Sequence, residues 1–342
     1  MLRYFRQNDP FRIIGIVLFI LASRAIALVG LKAVPDPVAL TVAFPSDLFV
    51  GAAGPLYGLL QWGLAFVFNS PLLNTFLASA FVLVNATTLN ALLIRNSAFE
   101  ENTYVPAALF TILFSFHPSV LWLSAELIAS TFFLLALVYL QRHLRYRNSD
   151  ETVLTAGIFL GLSSLFYIPF AWYVVLALLL FLFYSGTLGR RYLLLFWGFS
   201  LTLIGTWMVF LFQEEGADFW LLYAPVLVDF DFNQPLVLNA LMGLCLPVAF
   251  SFVASTSNLA GMGMTNLQIT LKRVFTWIGI FGILTFCFLS GGQIAGVVTL
   301  TLALAYFCTE FLLHIQRKWL AELFFLSLIA LSVIMLFLQP FY

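Results

Sequence analysis

The stretch Pro55-Leu-Tyr-Gly-Leu-Leu-Gln-Trp-Gly-Leu-Ala-Phe-Val-Phe68 is apolar from end to end, yet only fourteen residues long. At about 1.5 Å of rise per residue, a helix of that length covers roughly 21 Å, short of a hydrocarbon core of about 30 Å. Read as a crossing, it would invert everything after it and carry Arg95, Arg142, Arg145 and Arg147 to the outer side. Lys and Arg in short loops stay on the cytoplasmic side during insertion. We therefore read 55–68 as an interfacial or re-entrant segment, with Tyr57 and Trp62 at headgroup level.

Outward from that segment the whole chain reads as membrane protein. Of its 342 residues 63% are hydrophobic and 9% charged, and the mean hydropathy is +1.04. A soluble domain carries about a quarter charged residues, so that class is excluded. Decapeptides alternating between polar and apolar, the sign of an outer-membrane barrel, are absent. Apolar runs predict spans at 12–31, 72–94, 104–118, 120–141, 152–168, 170–185, 192–212, 235–254, 274–290, 292–314 and 319–338. The expected fold is an all-α polytopic transmembrane bundle of about 11 spans. With no internal repeat and no linker rich in Pro, Gly or Ser, residues 1–342 read as a single integral membrane domain.

Charge sets the expected orientation. With the N-terminus inside, thirteen of the fifteen Lys and Arg residues are cytoplasmic, leaving only Arg24 and Lys32. The outer loops then hold Asp36, Asp47, Glu214, Glu215, Asp218, Asp229 and Asp231, and an odd number of spans puts the C-terminus outside. Arg24 within the first apolar run argues that this run is a retained span rather than a cleaved signal. The two long loops, 32–71 and 213–234, both face outward, and a functional site is expected there.

Several chemistries find no support. Cys245, Cys287 and Cys308 fall within spans and read as packing residues, while His117, His143 and His314 are scattered. Phosphate-cradling glycine loops, a nucleophile elbow and a zinc helix are all missing, so no nucleotide cofactor is expected.

What remains is a short set of charges and rings. A charge inside hydrocarbon costs at least about 2.5 kcal/mol, so an intramembrane ionisable group is a site candidate by default. Arg24 and Glu126 each lie roughly 10 Å below the outer surface, a depth that permits an ion pair joining two helices. The functional alternative is that Arg24 holds a lipid phosphate. Glu310 sits near the inner end of its span, where Lys272, Arg273, Arg317 and Lys318 are available for pairing. Asp36 and Asp47 share the first outer loop, where a carboxylate can serve as general base or support a divalent cation beside a phosphate. Asp229 and Asp231 have an Asp-x-Asp spacing able to hold a hard cation, although solvated loop acids are the plainer reading. Trp62, Trp220 and Tyr223 can stack on a sugar or an isoprenoid, or belong to an interfacial belt. Asn74, Asn85, Thr88 and Asn90 suit hydrogen bonds between helices.

The basic N-terminus, single span, acidic first loop (Asp36, Asp47) and apolar interfacial segment Pro55 to Phe68, followed by closely spaced hairpins, resemble the layout of the GT-C glycosyltransferase superfamily over roughly residues 1–215. The stretches Asn102-Thr-Tyr-Val-Pro106, Gly157-Ile-Phe-Leu-Gly-Leu-Ser-Ser-Leu-Phe-Tyr-Ile-Pro169 and Leu188-Gly-Arg-Arg-Tyr192 also resemble an uncharacterised family of multi-pass bacterial inner-membrane proteins. The superfamily resemblance implies sugar transfer from a polyprenyl-phosphate donor at the outer face. Asp36 or Asp47 would be near the reacting centre and Arg24 near the donor phosphate. The first loop departs from that pattern in lacking an adjacent acidic pair. A non-catalytic scaffold of an envelope assembly, with other envelope membrane proteins as partners, and a transporter are the competing expectations.

Overall fold

The computed structural model describes residues 1–7, 9–26, 53–68, 70–116, 121–146, 150–184, 189–212, 219–220, 223, 235–257, 265–289 and 294–338. The helices are α1 (Leu2–Phe5), α2 (Ile13–Ala25), α3 (Pro55–Gly63), α4 (Ala65–Phe68), α5 (Pro71–Arg95), α6 (Val105–Leu113) and α7 (Ala125–Tyr146). They continue as α8 (Asp150–Phe166), α9 (Tyr173–Tyr184), α10 (Gly189–Leu211), α11 (Pro235–Ser257), α12 (Asn266–Leu284), α13 (Ile294–His314) and α14 (Lys318–Leu338). Among the described residues the one extended pairing is an isolated antiparallel bridge between Ala53 and Tyr167.

Each of the eleven expected spans overlaps one of these helices in sequence, which does not make each of them a crossing. Among the described residues, six helical stretches are long and apolar enough to cross a membrane: Pro71–Arg95, Ala125–Tyr146, Gly189–Leu211, Asn266–Leu289, Val297–His314 and Lys318–Phe337. The chain is a multi-pass helical membrane protein, with lipid as the natural solvent for its exposed apolar faces. Residues 55–68 form α3 and α4, nine and four residues long, broken at Leu64. Prolines open α3, α5 and α11, where the missing N–H costs no helical hydrogen bond. Thr265 and Gln268 form a reciprocal capping box at the start of α12.

The chain divides into two compact units, each discontinuous in sequence. The first comprises Met1–Pro35, Pro71–Leu123 and Asp229–Tyr342. Its most enclosed span is α13. Tyr306 of α13 stacks on Phe275 of α12 with ring centroids 4.5 Å apart, and Phe311 stacks on Phe250 of α11 at 4.7 Å. The Lys272 ammonium meets the Glu310 carboxylate at 2.8 Å and also donates to the Ala254 carbonyl at 3.2 Å, so one ion pair ties three helices. Sequence had placed Glu310 within reach of that lysine. Beside α13 lies α6, with all nine residues buried. A helix apolar on every face has no side to give to lipid or water, so its length is not set by bilayer thickness. Asn74 of α5 accepts from the Leu123 N–H at 2.7 Å, and Asn85 and Asn90 are buried, in keeping with the polar content expected of that span. The N-terminal segment also packs here. Phe5 accepts from the Tyr104 N–H at 2.8 Å, and Arg6 donates to the Leu313 carbonyl at 3.2 Å, near the end of α13.

The second unit comprises Asp36–Ser70 and Ser124–Val228. Its centre is the close parallel packing of α8 and α10. A Cβ on Gly157 would lie 2.3 Å from the Leu195 carbonyl oxygen, and one on Gly161 would lie 2.9 Å from that of Phe199. Gly157 and Gly161 on α8 face Gly198 and Thr202 on α10, an arrangement of small residues four apart that lets two backbones touch. On the other side of α8, Ser163 donates to the Ala129 carbonyl of α7 at 2.8 Å and Phe166 stacks on Phe132 at 5.2 Å. Of the three cysteines, Cys308 is buried, with its thiol 3.5 Å from the Pro247 carbonyl, whereas Cys245 is exposed rather than packed.

Candidate functional site

The C-terminal turn of α8 collects the described parts of both long loops. A helix end leaves its last carbonyls without intrahelical partners, and in apolar surroundings these must be satisfied by something else. Gly54 donates its N–H to the Phe166 carbonyl at 2.8 Å, and the Tyr223 hydroxyl donates to the Ser164 carbonyl at 3.4 Å. Only glycine fits at 54, because a Cβ there would lie 2.1 Å from the Leu165 carbonyl oxygen. The backbone contact seats α3 against α8. Around Tyr223 the aromatic cluster continues through Phe219, with Trp220 6.0 Å from Trp207.

The first turn of α7 lies at this same end of the unit. Ser124 accepts from the Leu127 N–H at 3.3 Å, capping the helix, and its side chain also hydrogen-bonds the Glu126 carboxylate. Tyr57 on α3 bonds to Gln61 and feels the Glu126 charge. Burial, with that charge added, pushes the Tyr57 hydroxyl well above the ordinary tyrosine range, and burial does the same to Tyr223. The site is thus one half-buried carboxylate, two phenols that stay protonated, and aromatic faces.

Arg24 belongs to the first unit, in the last turn of α2. It is 2% exposed, and none of its three guanidinium nitrogens has a hydrogen-bond partner among the described residues. Glu126 belongs to the second unit. Trp62 on α3 is 65% exposed, while Trp220 is half-exposed. Asp36, Asp47, Asp229 and Asp231 lie outside the described residues. Among the described residues no group of three or more His, Cys, Asp or Glu gathers to hold a metal.

Sequence reasoning singled out Glu126 and Tyr223 but gave Tyr57 only a place at the headgroups and passed over Gln61, Ser124 and Ser164. Two signals were present. Ser124-Ala-Glu126 is a helix-start pattern that puts a hydroxyl beside a carboxylate, and Gly54-Pro55 marks a close backbone approach followed by a first helical turn. No family model matches the chain, and no curated protein or solved structure matches it either.

Proposed function

We propose that this protein transfers a sugar from a polyprenyl-phosphate donor at the outer face of the bacterial inner membrane, with a GT-C-like layout. The reading takes eleven spans in one membrane domain, the N-terminus inside and the C-terminus outside, which puts the C-terminal end of α8 at the outer surface. The single observation that carries it is Arg24. A buried guanidinium is costly unless an anion meets it, and a lipid phosphate near the membrane boundary offers the planar, bidentate match that the described side chains do not. Two further features support the reading. The helix after the first span is short, broken and seated on α8, as an interfacial helix beside a lipid-linked substrate must be. Aromatic faces at Trp220 and Tyr223 suit a sugar ring or an isoprenoid.

In this reading Arg24 holds the donor phosphate and a carboxylate of the first loop, Asp36 or Asp47, takes the proton from the acceptor hydroxyl. The test is turnover of a labelled polyprenyl-phosphate sugar by purified protein in lipid, comparing wild type with Arg24→Ala, Asp36→Asn and Asp47→Asn. Loss of turnover in Arg24→Ala and in at least one Asn variant, with folding retained, is the expected result. Wild-type rates in all three would sink the reading. Native mass spectrometry separates the scaffold alternative, which requires stoichiometric protein partners and no bound lipid phosphate.

A further inference from the structure

Two carboxylates on long apolar helices are met differently. Glu310 of α13 takes the Lys272 ammonium at 2.8 Å, and the same ammonium donates to the Ala254 carbonyl at 3.2 Å. Glu126, in the first turn of α7, has no cation among the described residues. Its side chain bonds to the Ser124 hydroxyl, and its charge reaches Tyr57 of α3, whose hydroxyl bonds in turn to Gln61. The N-terminus of α7 supplies roughly half a positive charge, which leaves about half of the carboxylate's charge uncompensated. A carboxylate in apolar surroundings is costly until a cation or a proton meets it. Access separates the two cases as well. Glu310 is 2% exposed and closed to any ligand, whereas Ser124, Glu126, Tyr57 and Gln61 are each partly exposed, so a group from outside can reach the cluster.

We propose that this cluster binds a primary ammonium group carried by a ligand, with Glu126 taking toward it the role that Glu310 takes toward Lys272. An ammonium has three N–H donors and no acceptor. The carboxylate takes the charge-assisted bond, and the Gln61 carboxamide oxygen and the Tyr57 hydroxyl oxygen supply the neutral acceptors beside it. Other ligand classes fit less well. A trimethylated ammonium has no N–H to give these oxygens. A hard divalent cation asks for about six or more oxygen ligands, more than the cluster gathers. An anion is repelled by Glu126, and a neutral hydroxyl leaves its charge uncompensated. Primary ammonium groups occur on amino sugars and on the ethanolamine headgroup of lipids, and the recognition chemistry is the same for both. The site requires neither the transfer reaction nor Arg24.

The test follows thermal unfolding of the full chain in mild detergent at neutral pH, titrated with ethanolamine, choline or sodium at matched ionic strength. A ligand that binds the folded chain raises the unfolding temperature with its concentration, and only ethanolamine is expected to do so saturably. Glu126→Gln, which keeps the shape and removes the charge, should weaken ethanolamine at least about tenfold. Gln61→Leu should weaken it several-fold, and Glu151→Gln, an exposed acid in the first turn of α8, should leave it unchanged. Circular dichroism and a monodisperse elution profile establish that each variant is folded. Equal responses to ethanolamine and choline, or to ethanolamine and sodium, overturn the proposal, as does an undiminished response in Glu126→Gln, which would mean that the carboxyl holds a proton instead. Two further comparisons separate the sources. Tighter binding of phosphatidylethanolamine than phosphatidylcholine in native mass spectrometry assigns the ammonium to a lipid headgroup, and a larger thermal response to glucosamine than to glucose assigns it to a sugar. The absence of both preferences overturns the proposal.

Discussion

Gly157 of α8 and Gly198 of α10 touch backbone to backbone: a Cβ placed on Gly198 would lie 3.3 Å from the Gly157 Cα and 2.4 Å from the Leu154 carbonyl oxygen. Neither obstacle is a flexible side chain that could swing aside. Gly198→Val is therefore expected to cost about 2 kcal/mol or more, through forced separation of the two helices. Gly205→Ala, on the same helix with open space around it, should be neutral. Thermal unfolding in detergent checks both, and an unaffected Gly198→Val would refute the close packing.

The Lys272–Glu310 pair makes a prediction with an internal control. The two side chains are 14% and 2% exposed. Lys272→Met would leave a carboxylate in the core without its ammonium, and is expected to destabilise by about 3 kcal/mol or more. Adding Glu310→Leu to that variant removes the stranded charge and should recover most of the loss. A double variant as unstable as the single one would mean that the pair does more than neutralise itself.

Gly54 is the point where α3 is held against α8. Gly54→Ala is expected to push α3 away from the C-terminal turn of α8 and break the bond to Phe166. A cysteine introduced at Leu56 should then react several-fold faster with a water-soluble maleimide than in the Gly54 background. Unchanged labelling would argue that α3 is held elsewhere.

Arg24 separates a structural charge from a ligand-binding one. If a side chain of this protein neutralised it, Arg24→Met would strand that partner and destabilise by several kcal/mol. Since the described residues supply none, Arg24→Met in the lipid-free protein removes an uncompensated buried charge and is expected to stabilise it, while retention of phosphate lipids falls. Differential scanning of delipidated protein reads the first quantity and native mass spectrometry the second.

Alkaline pH tests the two buried phenols. Tyr57 and Tyr223 keep their protons in the folded chain at a pH where the unfolded chain, with the ordinary value of 10.0, has lost them. Their contribution is complete below about pH 10 and is lost as pH rises beyond it. Tyr57→Phe and Tyr223→Phe should each make the fall in unfolding temperature above pH 10 shallower. An identical slope in both variants would place the alkaline sensitivity elsewhere.

Much of this was legible in the residues because hydropathy reports burial directly. Every expected span overlaps a helix, though only six stretches among the described residues are long and apolar enough to cross a membrane, and Glu310 found a lysine that sequence had placed nearby. Less legible was what each apolar face meets. The run at 104–118 reads as a span, yet it is α6, nine residues enclosed by protein, because apolarity measures exclusion from water and does not separate a lipid neighbour from a protein one. Gly157 and Gly161 were visible as small residues four apart, but their partners on α10 lie some forty positions away, and nothing local names them. The link between Tyr57 and Glu126 was hidden for the same reason. It joins a loop helix to a turn about seventy residues later, and only the docking of Gly54 brings them near.

The discontinuity of the first unit has a consequence for the order in which the protein is made. All of the second unit lies within residues 36–228, so it is translated before α11 begins. The enclosure around α6 needs α13, a helix synthesised almost two hundred residues later. During translation α6 waits beside the growing chain with its partner side bare, and the insertion machinery or a chaperone must shelter it until the C-terminal helices arrive. Stop codons placed before α13 should thus leave a membrane-inserted second unit and a first unit that is cleared by quality-control proteases.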